Sequence, residues 1–255
     1  MKISWIVLTH NRMSIVNRAM KHNFENTGFP DFPLFPGEII WYDNGSDPQE
    51  LSKLECGFAH ILMHDRENKG VAKGYNRALA MATGDFIMIT GCDRLMPVRW
   101  LTTWINAFLT IPNTGIISCY SKPIEEVPER IRGDVVYGCE GTPTYRPAIP
   151  MEARILRRDL FREIGYFKED LGLYGWEDVL WSERAEKVTA AKGLVNYVIH
   201  DMMSEHLGDE GVNAWSGQDD KEYHEFKKRE ANDPRKTEVC NQYRKDGHPY
   251  YNPFV

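Results

Sequence analysis

Short apolar runs alternate with amphipathic stretches along this chain. Ile3 to Leu8 and Phe86 to Thr90 are almost wholly apolar, the pattern of central strands covered on both faces. Glu38 to Tyr42, Ala59 to His64 and Gly115 to Tyr120 read as further strands. Between them, Ser14 to Asn23, Val71 to Ala82 and Pro97 to Leu109 read as helices. Val71, Tyr75, Ala78, Leu79 and Ala82 share one helical face, and Gly84 suits the position just past the helix end. Asp47-Pro48-Gln49-Glu50 predicts another helix start, with Asp47 as cap, Pro48 in the first turn and Glu50 completing a capping box. Residues 28–38 carry Pro30, Pro33 and Pro36, which fit neither a helix nor a central strand. Strands alternating with helices at this spacing predict a mostly parallel sheet with right-handed crossovers.

After Tyr120 the pattern changes. Residues 121–150 are rich in Pro, Gly and charge, and long irregular stretches of this kind are functional or disordered. Met151 to Leu156 reads as a strand and Arg158 to Gly165 as a short helix. Glu177 to Lys187 reads as a helix with two acids in its first turn, where the helix dipole favours them. Gly193 to Ile199 reads as a strand, residues 201–211 as a loop holding His206, and 221–230 as a charged helix. From Ala231 the chain is polar and broken by prolines, the pattern of a draped or mobile tail. The expectation is one domain over 1–230, with a change of pattern at about residue 120, and a tail over 231–255.

Composition narrows the function. The 255 residues carry a net charge of −6, which argues against strong non-specific binding of polyanions. Five scattered cysteines, none in a CxxC pair, argue against a disulfide framework or structural zinc and for a reducing, cytoplasmic compartment. No apolar run approaches the ~20 residues that span a bilayer. The run after Met1-Lys2 is too short for a signal peptide. The signatures GxxxxGK[ST], HExxH, GxSxG, and GxGxxG after the first strand are all absent.

What remains is polar residues at strand ends. Thr9-His10-Asn11-Arg12 follows the first strand, Asp43-Asn44-Gly45-Ser46 the second, Asp65 to Asn68 the third, and Asp93 the fourth. Each alone is ordinary turn chemistry. Together they mark one sheet edge, where open α/β sheets bind ligands.

The ordered set THNR, DNGSD, NxG-x5-NRA, GD-x7-D, WED before a helix, and a later histidine resembles the nucleotide-sugar-dependent glycosyltransferases of GT-A fold. It is most similar to the large, mainly inverting family 2 type, over about residues 3–207. The resemblance implies a Rossmann-like, mostly parallel α/β sheet flanked by helices, in a single domain with an irregular acceptor-side segment, its nucleotide-binding half over about 1–120 and its acceptor-binding half over about 121–230. It implies that Thr9, Asn11 and Arg12 line the nucleotide pocket, that Asp43 bonds base or ribose, and that Asn68, Gly70, Asn76 and Arg77 shape the loop and helix beside the nucleotide. A solvated helix face is the plain alternative for Asn76-Arg77. Asp93 corresponds to the last acid of the family's Asp-x-Asp. Gly91 stands where that motif's first acid is expected, so a metal needs another protein ligand. His206 is the match for it, with His200 the other candidate. An Asp–His pair suits Mn²⁺ somewhat better than Mg²⁺.

Asp178 then corresponds to the general base and Glu177 to an acceptor-binding acid. Tyr174 and Trp176 join the acceptor pocket, with Trp181 a further stacking candidate; core packing is the alternative for these aromatics. The implied activity is transfer of a sugar from a nucleoside diphosphate sugar, UDP-linked, to an acceptor hydroxyl on a glycan, with inversion and a divalent metal. Two alternatives stay open. One is a viral-type glycosyltransferase acting on hydroxylated DNA bases; the other is a non-catalytic nucleotide- or sugar-binding module. A nucleotidyltransferase is more remote, for want of a Gly-rich basic loop.

Overall fold

The computed structural model describes residues 1–29, 36–55, 57, 59–119, 121–122, 136–138, 153–199, 202–207, 225–226, 229–230 and 232–254. Eight strands form the main sheet: β1 (Ile3–Thr9), β2 (Gly37–Asp43), β3 (Ile61–His64), β4 (Phe86–Thr90), β6 (Thr114–Cys119), β8 (Val136–Gly138), β9 (Ala153–Arg157) and β10 (Val195–Ile199). Their order is β3-β2-β1-β4-β9-β6-β10-β8. The first four are mutually parallel, β9 runs antiparallel to both β4 and β6, β10 is parallel to β6, and β8 is antiparallel to β10.

Side chains alternate between the two faces, as a pleated strand requires. Ile3, Trp5 and Val7 of β1 join one apolar cluster, while Ile6 and Leu8 join the other. Helices α1 (Met13–Glu25) and α4 (Trp100–Thr110) cover the first face. There Trp100 packs edge-on against Trp5 at 5.5 Å and Trp104 at 5.4 Å between ring centres. Helices α3 (Val71–Ala80), α5 (Arg158–Ile164) and α6 (Glu177–Ala191) cover the second. Each fully buried large side chain contributes about 1.5–3 kcal/mol by leaving water.

A second, three-stranded sheet crosses the carboxyl end of β4. It orders β5 (Arg94–Leu95), β11 (Ser204–His206) and β7 (Ser121–Lys122). β11 runs antiparallel to β5, with His206 opposite Arg94. His206 therefore sits on a strand rather than in the expected loop, and this pairing brings it to Asp93.

Three local expectations change. The α2 turn (Pro48–Leu51) has Pro48 in its first turn, but no side chain caps it. Glu50 instead accepts a 2.9 Å bond from Met13 N and so caps α1. The sequence read as a tail contains α7 (Pro234–Lys245), capped by Asp233. Its Cys240 and Tyr243 are buried with Leu171 and Leu180. Most of 121–150, and His200, lie outside the described residues. Cys92, Cys119 and Cys240 are free thiols. No helix among the described residues is long and apolar enough to cross a membrane.

Candidate active site

The β1–α1 turn is tight because Asn11 and Arg12 both take left-handed backbone angles, with φ 55° and 62°. Such a conformation is costly for residues other than glycine, and least so for Asn. Side-chain bonds hold it here. Asn11 N donates to Ser46 Oγ at 2.6 Å, and the Asn11 amide clasps Asp47 N (2.7 Å) and Asp47 Oδ2 (3.1 Å). The turn delivers Arg12 to Asp93, with Nη1 3.6 Å from Oδ2. Arg12 Nε is buried, with no hydrogen-bond partner among the described residues.

Asp43 is fully buried at the end of β2. Its oxygens accept from Thr9 Oγ1 (3.2 Å), Ser46 N (3.1 Å) and Ser46 Oγ, and Oδ2 lies 2.7 Å from His64 Nδ1. It therefore ties the ends of β1, β2 and β3 together from behind the cavity wall. Asn44 plays a similar part, donating to Asn68 Oδ1 and accepting from Lys69 N, both at 3.0 Å. Gly70 has φ 91°, and a Cβ there would lie 2.7 Å from Gly172 O. Only glycine suits this position, and Val71 N then donates to Leu173 O at 3.0 Å. That contact joins the β-edge to the loop before α6.

Asn76 is fully buried and clamps the backbone of Phe167, with its Nδ2 donating to Phe167 O (2.8 Å) and its Oδ1 accepting from Phe167 N (2.9 Å). Arg77 pairs with Asp65 and donates to Tyr42 Oη at 3.0 Å. Neither residue lines the cavity. The solvated-face alternative fails for Asn76, which is a fixed internal clasp.

A cavity of about 520 Å³ opens at the sheet edge. Thr9, Asn11, Arg12, Asn68, Asp93 and Tyr174 line it, together with Tyr75 and Phe226, which the sequence reading did not single out. Asp93 is its charged focus. His206 Nε2 lies 3.1 Å from Oδ2, Arg94 Nε lies 3.7 Å from Oδ1, and Leu207 N donates to the Asp93 carbonyl at 3.0 Å. Burial pushes the Asp93 carboxyl up, but His206, Arg94 and Arg12 outweigh it and hold the group well below the usual carboxylate range. Among the described residues, no three His, Cys, Asp or Glu side chains converge on a metal-sized space. The Asp93–His206 pair nevertheless fits a divalent ion. It offers a carboxylate oxygen and an imidazole nitrogen, donors that a divalent ion such as Mn²⁺ would take, and the two are hydrogen-bonded to each other at 3.1 Å.

Glu177 and Asp178 open α6, after Gly175 (φ 97°) and Trp176 (φ 74°). Burial, and then the charge of Asp178, push Glu177 up to about 8, against the pull of backbone N–H groups and Lys236. Burial also raises Asp178, against a 2.7 Å bond from Val179 N and the charge of Arg154. Tyr75 lines the cavity and feels the charge of both centres. Burial raises its phenol, and the charges of Asp93 and Glu177 both add to the effect. Trp176 packs toward Leu171 and Leu180, with the Arg244 guanidinium 5.7 Å from its ring. Trp181 stacks on Phe167 at 5.7 Å and donates to Gly165 O. Both are packing residues here, whereas Tyr174 faces the cavity.

Two further residues escaped the sequence reading. Arg154 is fully buried on β9, with its guanidinium 4.3 Å from the Trp181 ring centre. Its signal was one cation inside an apolar run. Lys236 of α7 is 5% exposed and donates to Tyr174 O and Glu230 Oε2, each at 2.8 Å. A lysine in a charged helix gave no such signal.

The family model described as glycosyl transferase family 2 matches residues 4–168. Over 90 residues the chain is 33% identical to an uncharacterized glycosyltransferase, YfnE, of Bacillus subtilis (strain 168), covering 34% of this chain and 23% of that one. Among solved structures, S. aureus TarS 1-349 in complex with UDP-GlcNAc superposes with a TM-score of 0.63 at 20% identity, over 86% of this chain and 62% of that one. A mannosyltransferase of Pyrobaculum calidifontis in complex with GDP-Man and Mn²⁺ gives 0.60 at 24% identity, over 84% and 59%. The expected GT-A architecture is therefore the one observed. The chain spans less than two thirds of the length of each of these relatives.

Proposed function

Because the chain belongs to glycosyl transferase family 2, we propose that it moves a sugar from a nucleoside diphosphate sugar to an acceptor hydroxyl. The donor is UDP-linked and the transfer inverts the anomeric centre. The observation that carries this reading is the contrast between two carboxylate centres: Asp93, which lines the cavity and is held ionised, and Glu177–Asp178, which open α6 just beyond the cavity-lining Tyr174 and are pushed toward neutrality. The first suits a cation that neutralises the donor's diphosphate, and the second suits proton transfer.

The donor occupies the β-edge, with its diphosphate toward Arg12 and Asp93. Asn11, Asp43 and Asn44 hold the turn and strand ends that form this wall. Asn68 and Gly70 fix the neighbouring loop. The acceptor enters beside Tyr174 and presents its hydroxyl to Asp178. As the acceptor oxygen bonds to the anomeric carbon, the bond to the diphosphate breaks with its electron pair, and the hydroxyl proton passes to Asp178. Arg154 and the Val179 N–H favour the ionised Asp178 that this step needs. Glu177, protonated near neutral pH, donates a hydrogen bond to the acceptor. The two acids titrate as a pair, so a rate profile reports on both.

Asp93 and His206 would hold a divalent cation, Mn²⁺ or Mg²⁺, which when bound neutralises charge on the leaving diphosphate. The free thiols of Cys92, Cys119 and Cys240 suit a reducing, cytoplasmic setting. The test is turnover of a panel of UDP- and GDP-sugars, followed by release of the nucleoside diphosphate. Release that Asp178→Asn abolishes while nucleotide binding persists supports the reading. Nucleotide binding without turnover of any donor favours a binding module instead.

A further inference from the structure

The inner face of α3 packs Val71, Tyr75, Ala78 and Leu79 against the second apolar cluster. A tyrosine on such a face brings one polar atom with it, and the hydroxyl of a buried tyrosine ordinarily finds a partner in the protein. Tyr75 departs from this. Its ring packs on Phe167, 5.6 Å between ring centres. Its hydroxyl makes no hydrogen bond among the described residues. That hydroxyl is not enclosed, and the side chain lines the cavity. A hydrogen-bonding group without a protein partner therefore opens onto the binding space.

The phenol is also held in place. Asn76, next along α3, clasps the Phe167 backbone through bonds of 2.8 and 2.9 Å, and Phe167 stacks on Trp181 of α6. One turn earlier, Val71 N donates to Leu173 O at 3.0 Å. These ties fix Tyr75 relative to Leu173 and Tyr174, two other residues of the cavity wall. Burial and the neighbouring Cys92 raise the phenol, Arg154 opposes them, and the charges of Asp93 and Glu177 raise it further, so it stays protonated. A neutral phenol both donates and accepts a hydrogen bond, as a sugar hydroxyl does. A diphosphate calls for cations instead. On the proposed reading the sugar lies between the diphosphate, at Asp93, and the acceptor, at Asp178, because the acceptor oxygen attacks the carbon that the diphosphate leaves. A group of the cavity wall that feels both Asp93 and Glu177 is within reach of that sugar.

We propose that Tyr75 is a specificity residue for the donor sugar, its free hydroxyl on the cavity wall exchanging a hydrogen bond with a hydroxyl of the sugar that is transferred. The inference rests on the nucleotide-sugar reading above and deepens it. A fixed hydrogen-bonding group discriminates against a sugar that leaves it unpaired. Tyr75 therefore favours a sugar with a hydroxyl in the matching orientation over its epimer.

Tyr75→Phe keeps the ring and removes only the oxygen. Calorimetric titration of UDP, GDP, UDP-glucose, UDP-galactose, UDP-N-acetylglucosamine and GDP-mannose into the wild type and this variant tests the inference, together with kcat/KM for the preferred donor. The free nucleotide, which lacks the transferred sugar, should bind both proteins equally. The preferred nucleotide-sugar should bind the variant about tenfold more weakly, the scale of one lost hydrogen bond. Its kcat/KM should fall at least as far, and its advantage over the other sugars should shrink. The melting temperature should not fall, since the hydroxyl has no partner among the described residues. Equal weakening of free nucleotide and nucleotide-sugar overturns the inference, because the contact is then with the nucleotide or the pocket is distorted. So does an unchanged nucleotide-sugar affinity, and so does a lowered melting temperature, which marks an internal role. Each of these leaves the nucleotide-sugar reading intact. Failure of all six ligands to bind the wild type overturns both.

Discussion

Two carboxylate centres, Asp93 in the cavity wall and Glu177–Asp178 at the start of α6, are pushed in opposite directions. Asp93 is enclosed at the end of β4, yet burial loses there, because His206, Arg94 and Arg12 converge on its oxygens. Glu177 and Asp178 are enclosed at the start of α6, and there burial wins. The nearest strong influence on Glu177 after burial is another carboxylate, while Lys236 and Arg154 only soften the effect. The difference teaches that burial alone does not set acidity; the sign of the neighbouring charge does. On the proposed reading, an ionised acid suits a cation beside the donor diphosphate, and an acid pair raised by burial suits proton transfer.

The largest effect that could break this contrast is chemical. Asp178→Asn should lower transfer by about a thousandfold, as expected for loss of a general base, while UDP binding measured by calorimetry stays at the wild-type level. A matching loss of UDP binding would place Asp178 on the donor side. Next comes Lys236→Met, which leaves Glu230 without its buried partner and frees the Tyr174 carbonyl. It should cost about 3 kcal/mol in chemical denaturation. It should also move the alkaline limb of the rate profile to higher pH, since Lys236 now favours ionised Glu177. Rescue of both by Lys236→Arg would separate charge from packing.

The pH dependence of stability sharpens the contrast further. Glu177 rises from an ordinary 4.5 to about 8 on folding, so the folded chain holds its proton more tightly. Its contribution is complete below pH 4.5 and is lost as pH rises through about 8. Asp93 is lowered on folding, so its contribution is complete above its ordinary value and is lost as pH falls through the lowered one. Glu177→Gln should therefore flatten the alkaline side of a melting-temperature profile, and Asp93→Asn the acid side. The smallest effect concerns the joint between the halves. Gly70→Ala places a Cβ 2.7 Å from Gly172 O at a positive φ, and should cost about 1–2 kcal/mol in a thermal melt.

The sheet was legible where both faces are covered. Continuous apolar runs marked β1 and β4, and the polar clusters after β1, β2 and β4 marked the binding edge. The direction of β9 was not legible, because a short apolar run looks the same whichever way it runs. That reversal matters, since β9 carries Arg154 into the core beneath Asp178. The capping-box signal around Glu50 was read locally, whereas Glu50 serves a helix that begins 37 residues earlier, at Met13. Asp43 read as a ligand group because a polar strand end looks alike whether its partners are protein or substrate. In the structure Thr9, Ser46 and His64 occupy it. Helix α7 hid behind its polarity, since its buried positions include a lysine. The closeness of Asp93 and His206 followed from the family resemblance, and the small β5–β11 pairing supplies its physical cause.

The central claim is that the two centres differ in protonation. Carboxyl NMR titration, with Glu177→Gln, Asp178→Asn and Asp93→Asn used to assign the signals, tests it most directly. The account predicts a Glu177 carboxyl that titrates near 8 and an Asp93 carboxyl that stays ionised through the whole range in which ordinary carboxylates protonate. A Glu177 carboxyl titrating at its ordinary 4.5, or an Asp93 carboxyl titrating above its ordinary 3.8, would contradict it.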